Sequence, residues 1–289
     1  MARIAFIGGG NMGEALLAGL LRAGRSAKDM VVAERMPERA DYLARTHGVQ
    51  VAPIADAVEN AAFVIVAVKP GDVESAVVEI AGTASRAEGN AVEQVVVSVV
   101  AGVTTAFYES RLPAGSPVVR VMPNAPALVG AGISALAAGR FATAEHMAAA
   151  AELFESVGST LIVAESQIDA VTAVSGSGPA YFFLFLEALI DAGVALGLSR
   201  AVATDLAVQT MAGSAAMLLD RFEAEDAQAT RSAGRPDTTA AQLRALVTSP
   251  GGTTAAGLRE LERGGLRAAV AAAVDAAKTR SEQLGITSE

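Results

Sequence analysis

Short apolar runs rich in β-branched residues alternate with helical apolar spacing through the first half of the chain, whereas alanine-rich helical spacing fills the second. Residues 3–7 form the first run and lead into Gly8-Gly9-Gly10-Asn11-Met12-Gly13. Met12, Leu16, Leu17, Leu20 and Leu21 then recur at helical spacing until Gly24. Further strands are predicted at 30–33, 49–52, 63–68, 95–100, 118–122, 133–137 and 160–163, with a helix at 144–157 before the last of them. From Glu165 onward the β-branched runs cease. In Ser175-Gly176-Ser177-Gly178-Pro179-Ala180, Ser177 is suited to cap and Pro179 to the first turn of a nearly all-apolar helix over 181–198. Ser199 caps a second helix running to about Leu219, the polar stretch 223–239 with Gly234 and Pro236 reads as a loop or frayed helix end, and helices follow at 255–263 and 266–284.

This order predicts an α/β fold: an N-terminal Rossmann-like, doubly wound, mostly parallel sheet over 1–164, then an all-α substrate-binding and dimerisation domain over 165–289. A helix apolar on most sides needs neighbours on most sides, and a second subunit supplies them. A length of 289 residues with 52% hydrophobic content suits two domains, and the formal charge of −9 disfavours nucleic acid and anionic membrane as partners, leaving small molecules. The apolar run 180–198 carries Glu187 and Asp191, costly at a bilayer centre, and so reads as a packed helix. The absence of cysteine excludes disulfides, thiolate nucleophiles and cysteine zinc sites, and no metal is expected. The first strand begins at once, with no signal peptide, which places the protein in the cytoplasm.

The candidate chemistry sits at the glycine turn. Gly8 permits a tight turn, Gly10 lets a pyrophosphate approach the backbone, and Gly13 lets the helix pack on its strand, with Gly9, Asn11 and Met12 completing the cradle. Glu34 lies about twenty residues past the last glycine, where a carboxylate binds the ribose 2′-hydroxyl, while the adjacent Arg35 suits a 2′-phosphate. NADPH and NADH are therefore both expected as cofactors. Ala67, Val68, Lys69, Pro70, Ala101 and Asn124 follow the later strands at the edge where such sheets bind ligands, although by position alone Lys69 reads equally as a solvated loop lysine. Ser249-Pro250-Gly251-Gly252-Thr253-Thr254 opens a helix with two glycines and two threonines, which suits either a capped turn or a carboxylate held by Ser249, the backbone of Gly252, and Thr253 and Thr254. His47 and His146 read as surface histidines, and none of Tyr42, Tyr108 or Tyr181 is followed four residues on by lysine. A substrate already carrying its proton, such as an iminium ion, needs no acid from the protein.

Five segments carry a resemblance to the pyrroline-5-carboxylate reductases: Phe6 to Gly13, Ala67-Val68-Lys69-Pro70, Val121-Met122-Pro123-Asn124, Ser175 to Tyr181, and Val247 to Thr254 continued by Ala256-Gly257-Leu258. The resemblance implies reduction of 1-pyrroline-5-carboxylate to L-proline by NAD(P)H. It further implies that the substrate carboxylate rests on Ser249, Gly251, Gly252, Thr253 and Thr254, and that the Thr254 hydroxyl, the catalytic candidate, bonds toward the ring nitrogen. Homodimers of interlocked helical domains, stacked in some relatives into larger rings, are implied as well. The chain departs from the family in having Arg235-Pro236-Asp237-Thr238-Thr239 where a Gly-x-His-Pro element is common. A reductase for a related imine or a hydroxy acid, or a dinucleotide sensor without turnover, are the alternative readings.

Overall fold

The computed structural model describes residues 2–84, 93–227 and 239–286. The chain divides into two compact units, Met1–Pro179 with Val274–Glu289, and Ala180–Ala273. In the first unit, strands and helices alternate as β1 (Arg3–Ile7), α1 (Asn11–Arg22), β2 (Met30–Ala33), α2 (Pro37–His47), β3 (Gln50–Val51), α3 (Ile54–Val58), β4 (Ala61–Val66), α4 (Val73–Ala84), β5 (Val95–Ser98), α5 (Thr105–Glu109), β6 (Val118–Met122), β7 (Gly132–Ala138), α6 (Ala144–Glu155), β8 (Gly158–Ile162) and α7 (Ile168–Val171). The strands form one sheet in the order β3-β2-β1-β4-β5-β6-β7-β8. All neighbouring pairs are parallel except β6 and β7, whose antiparallel register sets Val119 opposite Ala138.

The period-two alternation of β1 shows why this sheet is covered on both faces. Ile4 and Phe6 pack with Leu16 and Leu20 of α1 and Leu153 and Phe154 of α6. Ala5 and Ile7 point the other way, toward Val58 of α3, Val77 and Ile80 of α4 and Tyr108 of α5. The strand order reverses at β1, with β2 on one side and β4 on the other, so the loops leaving β1 and β4 diverge to opposite faces. That divergence opens a crevice at the carboxyl edge of the sheet. Gly8 N–H donates to the Ala33 carbonyl at 2.9 Å and Ala67 N–H to the Ile7 carbonyl at 2.8 Å, so the three strand ends are tied together at its floor.

The remaining helices are α8 (Gly178–Ala195), α9 (Arg200–Ala227), α10 (Thr239–Leu246), α11 (Thr253–Arg263) and α12 (Leu266–Ile286), the last of which ends in the first unit. Ser199 accepts from Val202 N–H at 3.3 Å at the start of α9, as its sequence position predicts. Ser177, by contrast, does not cap α8. Its backbone is itself helical, at φ −84° and ψ −22°, and its N–H donates to the Thr172 carbonyl at 2.8 Å, closing a π-turn over Thr172–Gly176. An N-cap requires an extended backbone, so α8 continues out of this turn instead of starting afresh. Helix α9 also extends beyond the expected end near Leu219, and α10 occupies sequence without a predicted element. The core of the 223–239 segment, including Gly234 and the 235–238 departure, lies outside the described residues.

Candidate functional site

A cleft of about 540 Å³ opens at the crevice, lined among others by Gly8, Gly10, Glu34, Arg35, Ala67, Val68 and Lys69. Its floor explains the glycines one by one. Gly8 has φ +102°, and a Cβ there would lie 2.7 Å from the Ala67 carbonyl oxygen. A Cβ on Gly13 would meet the Gly8 carbonyl oxygen, and one on Gly9 the side chain of Leu43. At Gly8 and Gly13 the obstacle is backbone, so the protein's own packing requires glycine, whereas at Gly9 it is the end of a leucine side chain. Gly10 is different: a Cβ there would meet nothing within 4 Å, so the space in front of it is open. Gly10 is the N-cap residue of α1, no side chain caps that turn, and the first helical bond runs from Glu14 N–H to the Gly10 carbonyl. The N–H groups of Asn11, Met12 and Gly13 are therefore free of helical partners and lie behind an open face. The residues thus fit a dinucleotide pyrophosphate, held by backbone donors and the positive end of the helix.

Charged side chains line the cleft rim. Glu34 accepts hydrogen bonds from Gly9 N–H and Met36 N–H, both at 2.9 Å, which fixes its carboxylate against the glycine turn. Arg35 pairs with Asp72 at 2.6 Å. Behind the turn, Arg39 donates to the Gly9 carbonyl at 2.7 Å and to the carboxylate of Glu14, whose other oxygen lies 2.9 Å from His47 Nε2. Burial acts to raise the Glu14 carboxyl, but the bonds from His47 and Arg39 outweigh it and hold the group below its usual range. His47 is thus not the surface histidine its sequence context suggests, because α2 folds it against α1 with 13% of its side chain exposed. His146 is likewise engaged, its Nδ1 accepting from Thr143 N–H in a capping box at the start of α6. Asp72, Arg39 and Glu14 carry no motif spacing that marks them, and only the fold brings them to the turn.

The other sequence candidates fall as follows. Pro70 opens a short turn over Pro70–Asp72 beside Lys69, and Met12 packs on the core beneath the cradle. Asn124 is nearly buried, and its Oδ1 accepts from Ile133 N–H at 2.9 Å, so its side chain secures the turn between β6 and β7. Ala101 packs against Met122, Ala135 and Ile168. Neither Ala101 nor Asn124 lines the cleft.

In the second unit, Ser249, Gly251, Gly252, Thr253 and Thr254 gather at the start of α11. Gly251 takes the left-handed conformation at φ +69°. Gly252 is the N-cap residue, with no side chain capping the turn. Its N–H, expected to be free for a ligand, instead donates to the Ser249 carbonyl at 3.0 Å, and the first helical bond runs from Ala256 N–H to the Gly252 carbonyl. The donors left open by the helix are consequently those of Thr253, Thr254 and Ala255, one residue further on than the sequence suggests. Ser249, Thr253 and Thr254 are exposed. The arrangement is a helix start with open backbone donors, edged by exposed hydroxyl residues.

Residues 165–284 match the family model described as pyrroline-5-carboxylate reductase dimerisation, and residues 3–102 that described as NADP oxidoreductase coenzyme F420-dependent. A pyrroline-5-carboxylate reductase of Mycobacterium tuberculosis is 66% identical over 100% of this chain and 99% of that protein. The chain belongs to the pyrroline-5-carboxylate reductase family. The Mycobacterium leprae member is 65% identical over the same shares of both chains. Among solved family structures, that from Coxiella burnetii superposes with a TM-score of 0.85 at 34% identity, covering 98% of each chain. That from Plasmodium falciparum, with NADP bound, gives 0.80 at 28% identity and the same coverage. The helical half is accordingly an oligomerisation module of this reductase family.

Proposed function

We propose that this chain reduces 1-pyrroline-5-carboxylate to L-proline, the last step of proline biosynthesis, using NADPH or NADH. The observation that carries the reading is the open, uncapped start of α1 behind Gly10, a backbone anion site at the switch point of a parallel sheet, in a chain 66% identical to a named reductase of this kind. The reduced nicotinamide supplies a hydride to the carbon of the substrate C=N bond. In this reading Gly8, Gly9, Gly10, Asn11, Met12 and Gly13 hold the pyrophosphate, and Glu34 and Arg35 face the adenosine ribose. Ala67, Val68 and Lys69 shape the rest of the cleft, while Pro70, Ala101 and Asn124 stand outside it on the same carboxyl edge of the sheet. The open N–H groups of Thr253, Thr254 and Ala255, in a turn shaped by Ser249, Gly251 and Gly252, receive the substrate carboxylate, and the Thr254 hydroxyl orients the ring nitrogen. The protonated imine brings its own proton, so hydride addition sends the C=N electron pair to nitrogen and yields the secondary amine without a protein acid. Positioning and fixed dipoles then supply the rate enhancement.

The oligomer is a homodimer formed through the helical half, with assembly into a larger ring as a further stage. Support comes from α8 and α9, where Phe182, Phe183, Leu184 and Leu206 are all more than half exposed. Glu165–Ala195 and Arg200–Phe222 are long and apolar enough to cross a membrane by length and composition. The match of 165–284 to a dimerisation model supports burial against a partner subunit instead, and hence a cytoplasmic enzyme without a membrane partner. The test is oxidation of NADPH or NADH by the purified protein on addition of the cyclic imine, with proline identified as product. Consumption absent with both cofactors refutes the proposal.

A further inference from the structure

The ion pair between Arg35 and Asp72 spans the cleft. Arg35 follows β2 and Asp72 follows β4, the two strands flanking β1, so the 2.6 Å contact joins opposite banks above the strand that carries the glycine turn. Both residues line the cleft, together with the cations and carboxylates of Lys69, Glu34 and Glu79. Three carboxylates thus face two cations at this rim. Glu34 is engaged by two backbone donors, and the ion pair Arg35 makes is with Asp72. The charge of Arg35 is therefore governed by Asp72. A ribose 2′-phosphate brings close to two negative charges and requires an unencumbered guanidinium, whereas a free 2′-hydroxyl does not.

We infer that Asp72 is a specificity-determining residue, which lowers preference for a 2′-phosphorylated dinucleotide by occupying Arg35. The inference rests on the assignment of this cleft to the adenosine half of the cofactor. Asp72→Asn is the suitable perturbation because it removes the charge at constant shape. The backbone bonds of residue 72, from its N–H to the Lys69 carbonyl and from Ser75 Oγ to its carbonyl, are unaffected.

The pair is solvent-accessible, with side chains 72% and 34% exposed, so the effect is modest: the NADPH/NADH ratio of kcat/KM rises about fivefold in Asp72→Asn. The gain shrinks as ionic strength rises. In an Arg35→Ala background the same substitution changes the ratio less than about twofold, which separates release of Arg35 from simple loss of repulsion by Asp72. Calorimetric titration with 2′,5′-ADP and with 5′-AMP reads the same preference without turnover. A rise confined to proteins that retain Arg35 supports the inference. An unchanged ratio in Asp72→Asn, or an equal rise in both backgrounds, overturns the role of Asp72 while the functional reading stands. A wild-type protein that binds neither nucleotide overturns both.

Discussion

Gly10→Ala separates what the glycine turn does for the protein from what it does for a ligand. At φ −68° and ψ −174° the Gly10 backbone is open to any residue, and a methyl group there meets nothing within 4 Å. Alanine caps a helix less well than glycine, by up to about 1 kcal/mol, and gains about 0.4–1 kcal/mol through a less mobile unfolded chain. Net stability should move by less than about 1 kcal/mol. The methyl group nevertheless stands before the open donors of Asn11, Met12 and Gly13. Losing one charged hydrogen bond there costs about 1.5–3 kcal/mol, or about 10- to 150-fold in cofactor Kd. Gly8→Ala is the control of opposite sign. Its Cβ would lie 2.7 Å from the Ala67 oxygen at φ +102°, so backbone strain of about 1–3 kcal/mol adds to crowding of similar size. Thermal denaturation and titration of reduced-nicotinamide fluorescence measure the two effects. Wild-type cofactor affinity in Gly10→Ala, or wild-type stability in Gly8→Ala, refutes the division of roles.

Thr254→Val, which exchanges an exposed hydroxyl for a methyl group, should lower kcat/KM about 100-fold, near 3 kcal/mol, with Tm and cofactor Kd unchanged; unaltered turnover would remove the hydroxyl from the mechanism. Burial pushes the Tyr108 phenol up from 10.0 to about 12, against a 2.7 Å bond to Ser98 and the charge of Arg120, so its contribution is complete below pH 10 and is lost toward pH 12. Urea denaturation across that window should show a loss of about 3 kcal/mol that Tyr108→Phe abolishes. Glu14, held below its usual 4.5, contributes stability above that value that is lost as pH falls through the lowered one; Glu14→Gln should be less stable near neutrality and show a flatter acid limb in the same assay. Phe183→Glu, at a position 65% exposed on α8, should convert the dimer to monomer in sedimentation velocity, and an intact dimer would place the interface elsewhere.

The amino-acid sequence by itself determined the strands, the glycine cradle and the succession of a sheet by helices. Each of these is written in neighbours along the chain: β1 alternates Ile4 and Phe6 against Ala5 and Ile7 because a strand has two faces, and the cradle is six consecutive residues. The same locality explains the misreadings. Ser177 has the composition of a cap, but whether a helix starts there depends on the Thr172 carbonyl one wide turn earlier, and α10 follows a stretch with no apolar periodicity to announce it. At the site, only the tertiary structure decided which charges meet. Glu34 binds Gly9 across 25 residues, Arg39 and His47 reach Glu14 from a different helix, and Arg35 finds Asp72 on the far bank of the cleft. Such pairs obey no spacing rule, because they are set by how β2 and β4 flank β1 and by where the following turns place each side chain, and a change in either would pair the same residues differently.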